Sequence, residues 1–268
     1  MYKAVFIDMD GTLLRADHTI SEATIKCIQH LVRNNIMVVL VSARPYHGIT
    51  AYSAQLGTLS LPVASLNGAY IRLIDEVIFE SSIDLETIRG LHKQATEAGV
   101  TLIYYTGLEW WAETTNNITQ KEQRITDVGV TIAPFDALMQ DWHGRQTSPN
   151  KVLAVGEEKV IALLESNLLS DFSGRLNIYT SKSTYLEIMR LDASKTKAIR
   201  FIIQRYGIMR EEILALGDNF NDKEMIAFAG TGVAMGNAPD AVKAVADYVT
   251  DTNEHDGVRK AIEKFIPM

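Results

Sequence analysis

The chain of 268 residues is poor in cysteine and has no long apolar run. Its single cysteine, Cys27, excludes an internal disulfide, and the surrounding apolar helical pattern predicts a buried thiol rather than a nucleophile. No apolar stretch approaches the roughly 20 residues that a membrane-spanning helix needs. The opening Met-Tyr-Lys leads into a short strand, which is not the pattern of a signal peptide. These absences predict a cytoplasmic protein without a membrane partner.

Basic residues are also in deficit, with 26 Lys and Arg against 33 Asp and Glu and a formal net charge of -7. Nucleic-acid backbones are bound by basic patches, so this balance argues against a nucleic-acid partner. It does not argue against a small phosphorylated ligand, because a metal ion and a few hydrogen-bond donors near the ligand offset the negative electrostatic field of the protein. The histidines His18, His47, His143 and His255 show no spacing typical of metal ligands.

The apolar content of 47% is enough for a sizeable core, and the length exceeds that of a usual single domain. Strand and helix patterns alternate along the chain, which predicts the α/β class. From about residue 83 a separate set of helices and strands begins. We therefore predict a core made of residues 1–82 and 191–268, with an α/β domain inserted over residues 83–190. Within the insertion, the polar stretch from Gln140 to Gln146 indicates a loop.

Two hydrophobic runs end in carboxylates. Val5-Phe6-Ile7 leads into Asp8 and Asp10, and Ile213-Leu214-Ala215-Leu216 leads into Asp218 and Asp222. Strands are normally poor in Asp, and neighbouring like charges must be neutralised, protonated or bound to a cation. Open α/β sheets place ligand sites at the carboxyl ends of their strands, and hard oxygen donors favour Mg²⁺ or Ca²⁺. A turn that carries acidic residues explains one such strand end equally well, but two such strand ends favour a cation shared between them.

Four motifs in order make the chain resemble the haloacid dehalogenase-like superfamily of phosphohydrolases, and more narrowly its Cof-type branch with a large α/β cap. The family's Asp-x-Asp-Gly-Thr is matched from Asp8 to Thr12, and its strand-ending Ser or Thr is matched by Ser42. Its helix-opening Lys is matched by Lys195, and its Gly-Asp-x-x-Asn-Asp by Gly217 to Asp222. The resemblance implies a Rossmann-like three-layer α/β/α core with an inserted cap. It also implies a Mg²⁺-dependent phosphatase that acts on small phosphorylated metabolites, sugar phosphates first, through an aspartyl-phosphate.

The first motif carries the two residues predicted to be catalytic. A carboxylate can act as a nucleophile that forms an acyl phosphate, and we assign this role to Asp8. Asp10 lies two residues further on and is assigned as general acid to the leaving oxygen and then general base to water. The resemblance implies a Mg²⁺ held by Asp8, by the backbone carbonyl of Asp10, by Asp218, and by Asp222 either directly or through another group.

The phosphate-binding residues are predicted from the remaining motifs; they are Ser42, Ala43, Arg44, Asn67, Lys195 and Asn221. Arg44 either reaches substrate or pairs with a surface acid. Asn67-Gly68 either contacts the phosphate-bearing group or forms a simple turn. The family usually has Gly after its Lys, but Thr196 stands here, so Lys197 remains an alternative to Lys195.

Two further interpretations of the function stay open at this point. Phosphomutase-type transfer to another hydroxyl uses the same groups, and a phospho-acceptor module without turnover also clusters acids with a Lys. Trp110 and Trp111 are adjacent in a predicted strand, so their side chains point to opposite faces of the sheet. The sequence is compatible with a monomer or a homodimer.

Overall fold

The computed structural model describes residues 1–126 and 128–267. The chain divides into two compact units. The first unit consists of Met1–Ala43, Ile49–Ile78 and Ser194–Met268, and the inserted unit consists of Arg44–Gly48 and Phe79–Ala193. Within the described residues, no helix combines the length and the apolar character needed to cross a membrane.

Strands and helices alternate as the sequence pattern predicts, which confirms the α/β class. The strands, in chain order, are β1 (Ala4–Ile7), β2 (Met37–Val41), β3 (Val63–Ser65), β4 (Tyr70–Leu73), β5 (Glu76–Glu80), β6 (Thr101–Thr106), β7 (Glu109–Ala112), β8 (Thr131–Ile132), β9 (Lys151–Val155), β10 (Leu176–Lys182), β11 (Tyr185–Arg190), β12 (Ile213–Gly217), β13 (Thr231–Ala234) and β14 (Tyr248–Val249). The α-helices are α1 (Glu22–Arg33), α2 (His47–Leu56), α3 (Leu85–Glu97), α4 (Asn117–Thr126), α5 (Phe135–Gly144), α6 (Glu158–Asp171), α7 (Lys195–Tyr206), α8 (Lys223–Phe228), α9 (Asp240–Lys243) and α10 (Gly257–Phe265).

The first sheet has the strand order β14-β13-β12-β1-β2-β3-β4-β5. Strand β1 pairs in parallel with both β12 and β2, and every residue of β1 is buried. Burial on both faces explains why these strands read as continuous apolar runs rather than as alternating patterns. Because β12, β1 and β2 are parallel neighbours, the residues that follow them emerge at one edge of the sheet.

The helices of the first unit begin and end where local chemistry permits. Ser21 caps α1 by accepting a hydrogen bond from the Thr24 backbone N–H at 3.1 Å. Ser194 caps α7 in the same way, through the backbone N–H of Lys197 at 3.2 Å. Helix α7 ends at Gly207, which adopts the left-handed conformation that glycine tolerates. The capping of α7 places Lys195 in its first turn.

The inserted unit has its own sheet, with the order β10-β11-β9-β6-β7-β8, and its own apolar core. The predicted loop from Gln140 to Gln146 is wrong, because α5 continues to Gly144. The buried residues of α5 are Phe135, Leu138, Met139 and Trp142. Their helical spacing packs one face of α5 into this core, and this burial outweighs the polar composition of the exposed face.

The two adjacent tryptophans of β7 point to opposite faces of the inserted sheet, as predicted. Trp111 packs against the apolar core of the inserted unit. Trp110 is fully buried, its ring lies against Tyr105 with centroids 6.0 Å apart, and its indole N–H donates to the Val128 carbonyl at 2.9 Å. Both side chains therefore have structural contacts within the inserted unit.

Candidate active site

Three predicted site residues follow neighbouring parallel strands of the first unit. Asp8 follows β1, Ser42 follows β2 and Asp218 follows β12. The pairing of Ile7 with both Leu40 and Leu216 puts these strand ends level with one another. The backbone N–H of Asp8 continues the ladder to the Leu216 carbonyl at 3.0 Å. The sheet topology thus gathers side chains that are far apart in the sequence.

The chain turns sharply after Asp8 and carries Thr12 back to the fourth motif. The backbone N–H of Leu13 donates to the Asp8 carbonyl at 3.2 Å, and the Thr12 hydroxyl donates to Asp218 Oδ1 at 2.7 Å. Gly11 has a φ of +83°, and a Cβ at this position would lie 2.4 Å from Asp218 Oδ2. Glycine is needed here for two reasons, the left-handed backbone and the close approach of the carboxylate.

Lys195 lies between two carboxylates in the interior of the first unit. Its Nζ donates to Asp8 Oδ1 at 2.5 Å and to Asp222 Oδ1 at 2.6 Å. The side chain is only 2% exposed, whereas Lys197 is exposed. The structure therefore brings Lys195, and not Lys197, to the carboxylates.

Asp222 organises the loop of the fourth motif. Its Oδ2 accepts hydrogen bonds from the backbone N–H groups of Asp218 and Asn219, each at 3.0 Å. With Lys195 on Oδ1, both of its oxygens have donors, and the residue is completely buried. Gly217 makes this possible, because a Cβ there would lie 2.4 Å from the Cβ of Asp222.

The site carries more negative charge than Lys195 alone can balance. Burial, together with the nearby charge of Asp222, raises the pKa of Asp8 well above its usual value, although Lys195 opposes the rise. Burial also raises the pKa of Asp218 to about 6, against the hydrogen bond from Thr12. Burial by itself lowers the pKa of Lys195, but Asp222 and Asp8 outweigh it and hold that pKa above the usual range. Three carboxylates and one lysine leave an excess of negative charge, which a second cation at this site would balance.

The donor set suits a hard divalent cation. Asp8, Asp218 and Asp222 each offer a carboxylate oxygen, and these oxygens lie within 4.8 Å of one another. Mg²⁺ takes one or two carboxylates together with water and phosphate oxygens. Asp8 and Asp218 fit direct ligation best, because the oxygens of Asp222 already accept from Lys195 and two backbone N–H groups.

The remaining predicted residues fall into two groups. Ser42 and Asn67 are buried in the first unit, joined by a hydrogen bond from the Asn67 backbone N–H to the Ser42 carbonyl at 2.8 Å. The amide of Asn221 donates to Asn67 Oδ1 at 3.1 Å. Arg44 belongs to the inserted unit, where its guanidinium donates to the Gly48 carbonyl at 3.5 Å. Its contact with phosphate stays a prediction, as does that of Ala43.

Asp10 differs from the other acids because its side chain is half exposed. His18 lies beside it, with Nδ1 3.8 Å from Asp10 Oδ1, and has a left-handed φ of 62°. Sequence reasoning assigned His18 no role, since no spacing signal links it to Asp10. The accessible carboxylate of Asp10 can exchange protons with solvent or with a bound ligand.

Two asparagines that sequence reasoning did not single out hold the turn after β1. Asn237 donates to the Gly11 carbonyl and Asn253 donates to the Leu14 carbonyl, each at 2.8 Å. The Asn253 backbone N–H in turn donates to Asn237 Oδ1 at 3.2 Å. These contacts join segments that are remote in sequence, so no local sequence pattern predicts them.

Comparison with known proteins agrees with this geometry. A family model described as haloacid dehalogenase-like hydrolase matches residues 5–262. A Haemophilus influenzae protein that is provisionally named a phosphatase is 36% identical over 269 residues, which is 100% of this chain and 99% of that protein. The Bacillus subtilis 5-amino-6-(5-phospho-D-ribitylamino)uracil phosphatase YcsE is 33% identical, covering 98% of this chain and 96% of its own.

A solved structure extends the likeness to three dimensions. A sugar phosphatase of haloacid dehalogenase subclass IIB matches with a TM-score of 0.85 and 26% identity over 98% of each chain. This match confirms the predicted Rossmann-like core with an inserted α/β cap. Taken with the family match, it shows that the chain belongs to the haloacid dehalogenase-like hydrolases and is a phosphatase of their Cof-type branch.

Proposed function

We propose that this phosphatase is Mg²⁺-dependent and hydrolyses small phosphorylated metabolites through an aspartyl-phosphate on Asp8. The observation that carries the proposal is the arrangement of Asp8 after β1 and Asp218 after β12, with Lys195 at the start of α7. It supplies a buried carboxylate nucleophile, a cation beside it and a second acid at ligand distance. Phosphoryl transfer depends on such positioning and on neutralising the charge of the phosphoryl oxygens.

In the first half-reaction, a carboxylate oxygen of Asp8 attacks phosphorus and the bond from phosphorus to the ester oxygen breaks. Asp10 donates a proton to that leaving oxygen, so the product is a neutral alcohol. Its half-exposed side chain suits this role, because it can be reprotonated between turnovers. Lys195 keeps one oxygen of Asp8 oriented throughout.

In the second half-reaction, Asp10 takes a proton from water, and the water oxygen attacks the phosphorus of the acyl phosphate. The bond from phosphorus to Asp8 breaks, which restores the carboxylate and releases inorganic phosphate. Splitting one displacement into two lets Asp10 serve first as acid and then as base.

The Mg²⁺ would be held by Asp8, by the Asp10 carbonyl and by Asp218, with Asp222 keeping the loop in place. When bound, it would supply positive charge to the phosphoryl oxygens and favour the ionised form of the carboxylates. The raised pKa values of Asp8 and Asp218 support this assignment, because burial disfavours their ionised forms and a bound cation would stabilise those forms.

The phosphate oxygens would be bound by Ser42, Ala43, Lys195 and Asn221, with Asn67 beside them and Arg44 as a further candidate. We assign catalysis to residues 1–82 and 191–268 and the cap to residues 83–190. The cytoplasmic location and the choice between monomer and homodimer stay predictions.

Sugar phosphates are the first choice of substrate. The subclass IIB structure is titled a sugar phosphatase, and YcsE is named for a substrate that carries phosphate on a ribityl chain. Both names describe a phosphate ester on a polyhydroxylated carbon chain. Flavin mononucleotide and pyridoxal phosphate rank behind sugar phosphates as candidate substrates.

The test is phosphate release from a panel of sugar phosphates, polyol phosphates and phosphorylated cofactors with Mg²⁺. The controls are the Asp8→Asn variant and wild-type protein in EDTA. We expect turnover that both controls abolish, together with a ranking that puts sugar and polyol phosphates first. Undiminished turnover by Asp8→Asn would contradict the assignment of Asp8 as the nucleophile. Undiminished turnover in EDTA would contradict the proposed dependence on Mg²⁺. Recovery of an isomerised sugar phosphate in place of free phosphate would point to phosphomutase chemistry.

A further inference from the structure

We infer that Asn67 is a positioning residue which acts on the reaction through Asn221, rather than a phosphate ligand in its own right. The inference rests on the proposed function. Three features carry it: the backbone conformation of residues 66–68, the contacts of this segment with three separate motifs, and the partner of the Asn67 amide.

The backbone of residues 66–68 is left-handed at three consecutive positions. Leu66 has a φ of 51°, Asn67 of 54° and Gly68 of 86°. A type I′ turn requires two such residues, so the segment exceeds what a simple reversal of the chain needs. A leucine in this region is costly, and such conformations persist only where the surroundings impose them. The turn that the sequence allowed at Asn67-Gly68 therefore does not explain this segment.

The contacts of the segment show what imposes the conformation. The Asn67 backbone N–H donates to the Ser42 carbonyl at 2.8 Å, which ties the segment to the second motif. Gly68 lies so close to the start of α7 that a Cβ there would be 2.5 Å from the Ser194 carbonyl oxygen. Ser194 is the residue before Lys195 and caps its helix. The segment thus contacts the residues that position the hydroxyl of Ser42 and the amine of Lys195.

The side chain of Asn67 supplies the third contact. Asn67 is 2% exposed, and its Oδ1 accepts from Asn221 Nδ2 at 3.1 Å. Asn221 lies in the 3₁₀ turn Phe220–Asp222, directly before the organising carboxylate of Asp222. The hydrogen bond that Asn221 Nδ2 donates fixes the rotation of the Asn221 amide, which leaves its Oδ1 and its second N–H in a defined direction. Removing the Asn67 amide should therefore free Asn221 rather than remove a separate phosphate contact.

A double-mutant cycle on phosphate release tests this inference. The variants are Asn67→Gly, Asn221→Ala and the pair together, assayed with p-nitrophenyl phosphate and Mg²⁺. Glycine is chosen at position 67 because it keeps the left-handed backbone accessible while it removes the amide. The matched control is Asn35→Gly, an exposed asparagine with a φ of 61° that lies beyond the end of α1. Thermal melts of each variant report folding.

We expect Asn67→Gly to lower kcat about tenfold, the effect of one lost orienting hydrogen bond, with a smaller change in KM. The double variant should match Asn221→Ala within about twofold, because a residue that acts through Asn221 has no effect once Asn221 is gone. Asn35→Gly should keep the wild-type kcat.

Effects that multiply in the double variant would overturn the inference, since they would show that Asn67 contributes independently. A wild-type kcat in Asn67→Gly would overturn it as well. Both results leave the phosphatase assignment intact, whereas absence of turnover by the wild-type protein across the substrate panel would refute the proposed function itself.

Discussion

At the scale of single residues, the unusual feature is a fully buried lysine shared by two carboxylates. Burying a charge is unfavourable unless it is paired and hydrogen-bonded. Lys195 satisfies this condition with Asp8 and Asp222, at 2.5 Å and 2.6 Å. Breaking a buried ion pair by removing one partner leaves the other charge uncompensated. The same lysine therefore stabilises the buried carboxylates and orients Asp8, the proposed nucleophile.

Replacing this lysine should harm both stability and activity. We expect Lys195→Gln to lower the free energy of unfolding by about 3–5 kcal/mol, because two buried carboxylates lose their counter-ion. Phosphate release should fall at least 100-fold, since Asp8 loses its orienting donor. Urea unfolding followed by circular dichroism and the phosphate assay measure the two effects.

Lys197→Gln is the matched control for that prediction. Lys197 is exposed and lies in the same first turn of α7. Its substitution should change stability by no more than about 0.5 kcal/mol and leave turnover intact. If the Lys197 variant lost activity and the Lys195 variant kept it, the assignment of the third motif to Lys195 would be wrong.

At the scale of elements, the turn after β1 decides whether the first and fourth motifs meet. Gly11 is left-handed, and its Cα lies against the Asp218 carboxylate that Thr12 binds. Asn237 and Asn253 hold the same turn by donating hydrogen bonds to the carbonyls of Gly11 and Leu14. The turn is thus restrained by three side chains from other parts of the sequence or from the turn itself, which keeps Asp8 and Asp10 in a constant relation to Asp218.

Alanine substitutions at Gly11 and at Gly57, compared with each other, separate the effect of backbone strain from the effect of steric displacement. We expect Gly11→Ala to lower turnover at least 100-fold, because the new Cβ must displace Asp218 from a position 2.4 Å away. Gly57→Ala provides the comparison, since Gly57 is also left-handed, with a φ of +73°, but in the described part of the chain no atom beyond its own neighbours lies within 4 Å of the added Cβ. The Gly57 variant should lose about 1 kcal/mol of stability from strain alone and keep full activity.

The phosphate assay and thermal melts of these two variants measure the difference. Equal activity in both would show that Asp218 can move without consequence. That result would argue against Asp218 as a metal ligand, because a ligand displaced by a methyl group cannot keep its coordination distance.

At the scale of the whole molecule, the chain is divided between two units with separate apolar cores. Asp8, Asp218 and Asp222, the three carboxylates that could hold a metal ion, belong to the first unit. All three tryptophans, Trp110, Trp111 and Trp142, belong to the inserted unit. Tryptophan fluorescence therefore reports on the inserted unit, whereas Mg²⁺ bound at these carboxylates would act on the first unit.

This separation predicts how Mg²⁺ changes thermal unfolding. A ligand at 100 times its Kd stabilises the unit that binds it by about 2.7 kcal/mol. For a unit of this size the melting temperature of the first unit should rise by about 5 °C or more. We expect calorimetry to show this rise while the transition seen by tryptophan fluorescence stays in place, and EDTA to reverse it. The Asp218→Asn variant should show no rise. A fluorescence transition that moved in step with the calorimetric one would show that the units unfold together.

Much of the site was readable from the sequence because its residues stand in motifs with fixed local spacing. Asp8 and Asp10 follow an apolar run, and Asp218 and Asp222 follow another, so their type and neighbours pointed to a cation and a phosphoryl group. Local spacing could not show which of these carboxylates has which role. Asp222 was a direct or indirect metal partner on sequence grounds, and only its three donors identify it as the residue that shapes the loop.

Other features had no local signal at all. Asn237 and Asn253 reach the turn after β1 from the opposite end of the chain. The polar residues at the end of α5 suggest a loop, whereas the spacing of Leu138, Met139 and Trp142 is that of one helix face. Burial of that apolar face against the inserted sheet decided the helix.

The sequence by itself determined the α/β class, the two carboxylate-tipped strands and the chemistry that those groups can perform. These follow from the pattern of apolar runs and from the short range of strand-end motifs. The tertiary structure alone decided which lysine enters the site, which aspartate organises the loop and how Asn67 meets Asn221. Each of these depends on parallel pairing of β12, β1 and β2, which brings residues that are remote in sequence within hydrogen-bond distance of one another.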